Sequence, residues 1–245
     1  MLLAATIGGC GDGDEDARLT VSAAASLKPA FEEYASSFEE ADVRFSFAGS
    51  DELAAQIRRG ARPDVYAAAN TALPDALFES GDVEMPVTFA RNELVIAAPA
   101  DAGDIDSAGD LAAPGVQLVI GDPDVPIGAY ARTALDRLPD AERQAILANV
   151  RSEEPDAFGI VAKLTQGAAD AGLLYASDVT VTDGELRTVR LPAKLAPDVR
   201  YGIAVVSGSG AEREAQLFIE GLLEGAGAEA MKDAGFLPPP EGGAR

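Results

Sequence analysis

The sequence predicts an α/β protein built as two lobes. Short apolar runs alternate with amphipathic stretches of helical length, and no long linker divides the chain into consecutive halves. Stretches rich in Gly, Asp, Ser and Pro near 100–116 and 178–199 flank a middle block. Strands alternating with helices imply parallel-rich sheets with crossover helices. The extended runs at 93–98 and 201–206 then read as two crossings between lobes, so the first lobe is assembled from both chain ends. The expected partition is residues 1–17 as an N-terminal tract, 18–97 plus 201–245 as one lobe, and 98–200 as the other.

Residues 19–24 (LTVSAA) read as the first strand. A helix is expected over 27–40, where Leu27, Phe31, Tyr34 and Phe38 recur at helical spacing. A strand at 43–47 and a helix at 52–59 follow, the latter with Leu53 and Ile57 on one face. Residues 65–68 and 73–79 repeat the pattern, and 93–98 form a longer strand ending at Pro99. The middle block gives a strand at 117–120, a helix at 128–137, a helix at 157–166 and a strand at 172–175. The run 201–206 is again a strand, and helices at 212–224 and 228–234 close the chain. No internal repeat is visible, and the tail from Pro238 reads as frayed.

Composition excludes several functions. The 245 residues suffice for a substantial core, and 47% are hydrophobic. With 19 basic and 41 acidic residues the formal net charge is −22, which argues against nucleic acid as a partner. The chain has no His and one Cys. Zinc sites, Ser-His-Asp triads, Cys-His pairs and a disulfide framework all need more. No Walker A sequence, dinucleotide fingerprint, nucleophile motif or EF-hand spacing is present.

The first nine residues, MLLAATIGG, are too short an apolar run to span a bilayer. They read as the tail of an export signal. Ile7-Gly8-Gly9-Cys10 resembles a lipoprotein box, in which Cys10 becomes the lipidated first residue, and 11–17 becomes an acidic tether. No Lys or Arg precedes the apolar run, so a small buried Cys is the competing reading.

The informative positions are small residues at strand-to-helix junctions, where ligands of parallel sheets bind and helix N-termini offer free N–H groups to anions. Ser26 stands where the first helix begins; alone it reads as a plain N-cap. Ser50 or Asp51 could likewise cap the second helix, with Gly49 allowing close backbone approach. Two serine-bearing junctions in adjacent units shift the reading toward a shared anion. In the middle block Pro126 opens a helix with the N–H groups near Ile127 and Gly128. Asp156 reads as a cap for the helix starting at Ala157. Tyr175 ends its strand, and is either a half-buried core aromatic or an uncharged donor.

As a set, AAASL at 23–27, SFAGSDELAAQI at 46–57, PDVYAAAN at 63–70, ARNELVIAAP at 90–99, GDPDVPIGAYA at 121–131 and ADAGLLYASD at 169–178 resemble the substrate-binding proteins of bacterial molybdate ABC importers (ModA type). The resemblance covers nearly all of 19–236. It implies a hinged, two-lobed fold of the periplasmic-binding-protein type II class. It also implies a molybdate or tungstate ligand held without counter-charges, and no cofactor. Carried over motif by motif, Ser26 and Ser50 would offer hydroxyl and backbone donors from the first lobe. Ile127 and Ala157 would offer backbone N–H groups, and Tyr175 its phenol. Ile127 is bulkier than the family's usual residue there. The implied partners are an ABC permease with its ATPase, and a membrane reached through a lipid on Cys10. The implied setting is the outer side of the cytoplasmic membrane or the periplasm, as a monomer. The competing functions are the same scaffold holding sulfate or phosphate, an α/β enzyme, and a receptor or adhesin without a transport partner.

Overall fold

A computed structural model describes residues 17–240. Cys10 and most of the expected tether lie outside the described residues. Among the described residues no helix is long and apolar enough to cross a membrane.

The first part of the chain runs β1 (Arg18–Ala24), a 3-10 turn (Ala25–Leu27), α1 (Lys28–Ala35), β2 (Asp42–Ala48), α2 (Ser50–Arg58), β3 (Val65–Ala68), α3 (Ala72–Glu79) and β4 (Val87–Asn92). The middle runs β5 (Leu94–Pro99), a 3-10 segment (Ala108–Ala112), β6 (Leu118–Gly121), α4 (Pro126–Leu135), α5 (Asp140–Ala148), β7 (Val150–Glu154), α6 (Ala157–Thr165), β8 (Ala171–Tyr175), α7 (Ala176–Thr180) and β9 (Leu186–Arg190). The chain closes with β10 (Val199–Val205), α8 (Glu212–Glu224) and α9 (Ala226–Asp233).

Two five-stranded sheets result, ordered β2-β1-β3-β10-β4 and β7-β6-β8-β5-β9. Both use one plan. Three consecutive strands pair in parallel, a crossing strand joins them antiparallel, and a fifth strand pairs antiparallel with the crossing strand. The sheets are therefore mixed, because the crossing strands β5 and β10 enter from the opposite lobe and run against their neighbours. The expected breaks at 97/98 and 200/201 fall inside β5 and β10. Each of these strands is bonded along its length within a single sheet, so the chain passes between sheets at Asn92–Leu94 and returns between Arg190 and Val199.

Helices cover both faces of the first sheet, which is why all four residues of β3 are buried. On one face Phe31 of α1 meets Phe218 of α8 edge-on at 5.6 Å between ring centroids. On the other, Leu53 and Ile57 of α2 pack with Tyr66 and Leu77. The expected helix at 27–40 is shorter at both ends. The hydroxyls of Ser36 and Ser37 bond back to the carbonyls of Glu33 and Tyr34 and end it. The sequence pattern marks neither β4, which only Glu93 separates from β5, nor the elements that lack a continuous apolar face. β7 (VRSEE) and β9 (LRTVR) are edge strands, half exposed, and α5 lies on the outside with Ile146 as its one fully buried residue.

Candidate functional site

Six strand ends converge between the two sheets. The ends of β1, β2 and β3 bring residues 24–26, 48–50 and Ala69; those of β6, β7 and β8 bring residues 125–127, 155–157 and Tyr175. Together they line one small cavity of about 20 Å3, room for a compact group. Because both sheets follow one plan, the two sets of junctions are structural counterparts. All five residues singled out from the sequence, Ser26, Ser50, Ile127, Ala157 and Tyr175, lie on this wall, and all are buried.

Neither serine caps a helix. The N-cap of α1 is Leu27 and that of α2 is Gly49, each without a side-chain cap bond. Ser50 Oγ instead accepts the Ala69 N–H at 3.0 Å, while its carbonyl accepts the Tyr66 hydroxyl at 2.7 Å. The Ala69 bond uses one lone pair of the hydroxyl and leaves its proton free for the cavity. Ser26 Oγ lies 3.1 Å from the Tyr201 hydroxyl. Asp156 does cap α6, accepting the Gly159 N–H at 3.0 Å. Pro155 immediately precedes that cap.

The second-lobe helices present free N–H groups by geometry, since the first turn of an α-helix has no internal partner for them. Pro126 opens α4, so Ile127 is its first residue with an N–H to offer. This junction is tightly packed. A Cβ on Gly128 would overlap the Asp122 carbonyl oxygen, and one on Gly121 would come within 2.6 Å of both the Gly128 nitrogen and Ile127 Cγ2. Gly121 thereby makes the space that the bulky Ile127 side chain fills.

The Tyr175 hydroxyl is buried and has no hydrogen-bond partner. Burial drives its pKa well above the ordinary value, so it stays protonated. A buried unpaired hydroxyl costs about 1–3 kcal/mol. On a cavity wall, that marks a donor waiting for an acceptor. No Lys or Arg lines the cavity, and Asp156 is its one carboxylate. Neither serine hydroxyl is hydrogen-bonded to a base, so the arrangement offers donors without an activated nucleophile. Among the described residues no group of His, Cys, Asp or Glu is placed to hold a metal ion. A larger, mostly apolar depression of about 560 Å3 between α8, α9 and the C-terminal segment shares no residue with these junctions.

A family model of bacterial extracellular solute-binding proteins matches residues 19–237. The chain is 36% identical over 227 residues to the molybdate-binding protein ModA of Mycobacterium tuberculosis (strain ATCC 25618 / H37Rv), covering 90% of this chain and 85% of that one. The chain belongs to the ModA family of bacterial extracellular solute-binding proteins. ModA of Escherichia coli (strain K12) is 30% identical over 234 residues, covering 91% of this chain and 90% of its own. The periplasmic molybdate-binding protein of Azotobacter vinelandii has a TM-score of 0.80 over 91% of this chain and 100% of its own, at 21% identity, a likeness of fold alone. Membership makes this chain a solute-binding protein rather than an enzyme.

Sequence reasoning missed Tyr201 and Asn92, which back the site from the hinge side. Tyr201 reads as one more buried strand residue, and its contact with Ser26 spans 175 positions. A phenol within the apolar run 201–206 was the available signal. Asp178 is buried with one carboxylate oxygen unpartnered, and nothing in its local sequence marks that.

Proposed function

We propose that this chain captures molybdate, and tungstate likewise, outside the cytoplasmic membrane and delivers it to the permease and ATPase of an ABC importer. The unpartnered Tyr175 hydroxyl on a cation-free cavity wall is the observation that supports this most. A bare tetrahedral dianion offers only acceptors, and this wall offers Ser26, Ser50 and Tyr175 hydroxyls with the N–H groups of Ile127 and Ala157. A hydrogen bond to a charged group contributes about 1.5–3 kcal/mol. Roughly five of them reach the ~8 kcal/mol of micromolar binding after the costs of association. The net charge of −22 opposes a dianion at long range, but salt screens that field beyond about 8 Å. Uncharged donors also leave no buried cation stranded when the ion departs.

The ion would bridge donors on both lobes and so favour the closed form. Discrimination from sulfate, an equal charge of equal shape, falls to cavity size. A thermal-shift panel tests the reading, since a ligand of the folded state raises the melting temperature. Molybdate and tungstate are expected to raise it strongly, sulfate weakly and phosphate not at all. A shift with sulfate alone, or with none of the four, removes the proposal. Anchoring through Cys10 belongs to the same reading, and a Cys10→Ala chain that still fractionates with membranes would count against it.

A further inference from the structure

Ser26 is tied to the hinge rather than to its own helix. The Tyr201 hydroxyl that meets Ser26 Oγ at 3.1 Å also accepts from Asn92 Nδ2 at 3.4 Å. The same amide nitrogen donates to Ser177 Oγ at 2.8 Å. Asn92 is the last residue of β4, where the chain leaves the first sheet, and Tyr201 stands on the returning strand β10. Ser177 follows Tyr175 by two residues. All four residues are buried.

The Asn92 bonds have a fixed direction, and that of the Ser26–Tyr201 bond follows from where the phenol proton can go. Asn92 Oδ1 accepts the Glu93 N–H at 2.8 Å, which fixes which end of the amide is oxygen. Its nitrogen can only donate, so of the two groups hydrogen-bonded to the fully buried Tyr201 hydroxyl, Ser26 Oγ is the one able to take the phenol proton, which would otherwise be left unpaired. Ser26 Oγ is then an acceptor on the hinge side. Its proton is excluded from that axis and turns toward the cavity.

We propose that Tyr201 and Asn92 are positioning residues that set the polarity of Ser26, making it a donor toward the cavity and biasing the site against oxyanions that carry a proton. This rests on the oxyanion reading of the site. A fully deprotonated dianion accepts from Ser26. Hydrogen phosphate brings an O–H that needs an acceptor; Ser26, already accepting from Tyr201 with its proton turned to the cavity, is poorly placed to be one, and Asp156, the one carboxylate of the wall, has an oxygen committed to the Gly159 N–H.

Two variants test this. Tyr201→Phe keeps the ring contacts with Phe89, Tyr175 and Phe236 and removes the hydroxyl. Asn92→Asp replaces the donating nitrogen by a second oxygen, which takes the Tyr201 proton, so that Tyr201 accepts from Ser26 and the polarity reverses. The readout is the ratio of affinities for molybdate and hydrogen phosphate at mildly alkaline pH, where both are dianions and any change in local charge acts on both alike. Sulfate serves as a proton-free control of phosphate's size. Tyr201→Phe is expected to narrow the molybdate-to-phosphate ratio about ten-fold, and Asn92→Asp to narrow it further, with sulfate following molybdate. Equal weakening of all three ions, or an unchanged ratio in both variants, overturns the proposal. If the wild-type chain holds molybdate and the ratio stays fixed, this inference alone fails. A wild-type chain that holds none of the three removes the oxyanion reading and this inference with it.

Discussion

Tyr175 shows how much one hydroxyl decides. Its ring packs 5.7 Å from Tyr201 and 6.4 Å from Tyr130, centroid to centroid, so the phenol is held rigidly with its oxygen left unpaired. Tyr175→Phe preserves that packing and deletes one donor. Molybdate affinity is expected to fall roughly ten- to hundred-fold, the worth of one bond to a charged group. The ligand-free melting temperature should not drop, because no internal bond is lost. Calorimetric titration alongside thermal melts checks both halves, and unchanged affinity would place the phenol outside the site. The two serines teach the opposite lesson about reading sequence. Both looked like helix caps, yet Ser50 meets Ala69 and Ser26 meets Tyr201. A cap is a local contact that sequence can suggest, whereas these partners lie 19 and 175 residues away.

At the scale of elements, the junctions fix how closely the lobes approach. Gly49, the N-cap of α2, faces the turn between β7 and α6. A Cβ there would stand 3.0 Å from the Pro155 carbonyl oxygen and 2.9 Å from Asp51 Oδ1. The carboxylate end can swing away, but the backbone oxygen belongs to the opposite lobe and can yield only if the lobes part. Gly49 has φ −57°, so alanine suits its backbone. Gly49→Ala should therefore weaken molybdate binding about ten-fold by opposing closure, while the ligand-free stability changes little. Affinity equal to wild type would show that closure tolerates the methyl group. Helix and strand identity was legible wherever an apolar face was continuous, as in β3 and α8. It failed at β7, β9 and α5, where one side faces solvent and the pattern dilutes into charge, and at the largely buried edge strand β4, which only Glu93 separates from β5.

For the whole molecule, two buried carboxylates bend stability with pH in the same sense as the global charge on one side and against it on the other. Burial, with Asp156 nearby, raises the Asp178 pKa from 3.8 to about 8. The folded state keeps this proton where the unfolded chain has lost it, so its contribution falls as pH rises from about 4 to about 8 and then levels. Burial also pushes Asp64 upward, but bonds from Ser209 and Thr20 outweigh it and hold its pKa below the ordinary value. Asp64 therefore stabilises at neutral pH, and that support is lost as pH falls below the usual carboxylate range. The melting temperature is expected to peak at mildly acidic pH and decline toward mildly alkaline pH. Asp178→Asn should flatten that decline. Melts across pH at high salt, where the net charge is screened, isolate the effect. A wild-type curve that is flat between mildly acidic and mildly alkaline pH would refute it.

The sequence by itself determined the α/β alternation, the two-lobed organisation, the absence of His and disulfide chemistry, and the motif set whose five positions share one cavity wall. Those properties follow from local periodicity, composition and short motifs, which each segment carries without reference to the rest. Tertiary structure alone decided the mixed strand order, the points at which the chain crosses between sheets, and the two serines' freedom from capping. It also decided the Tyr201–Asn92 backing of Ser26. Each of these depends on which distant residues are brought into hydrogen-bond range, and no local pattern encodes a pairing between positions 26 and 201.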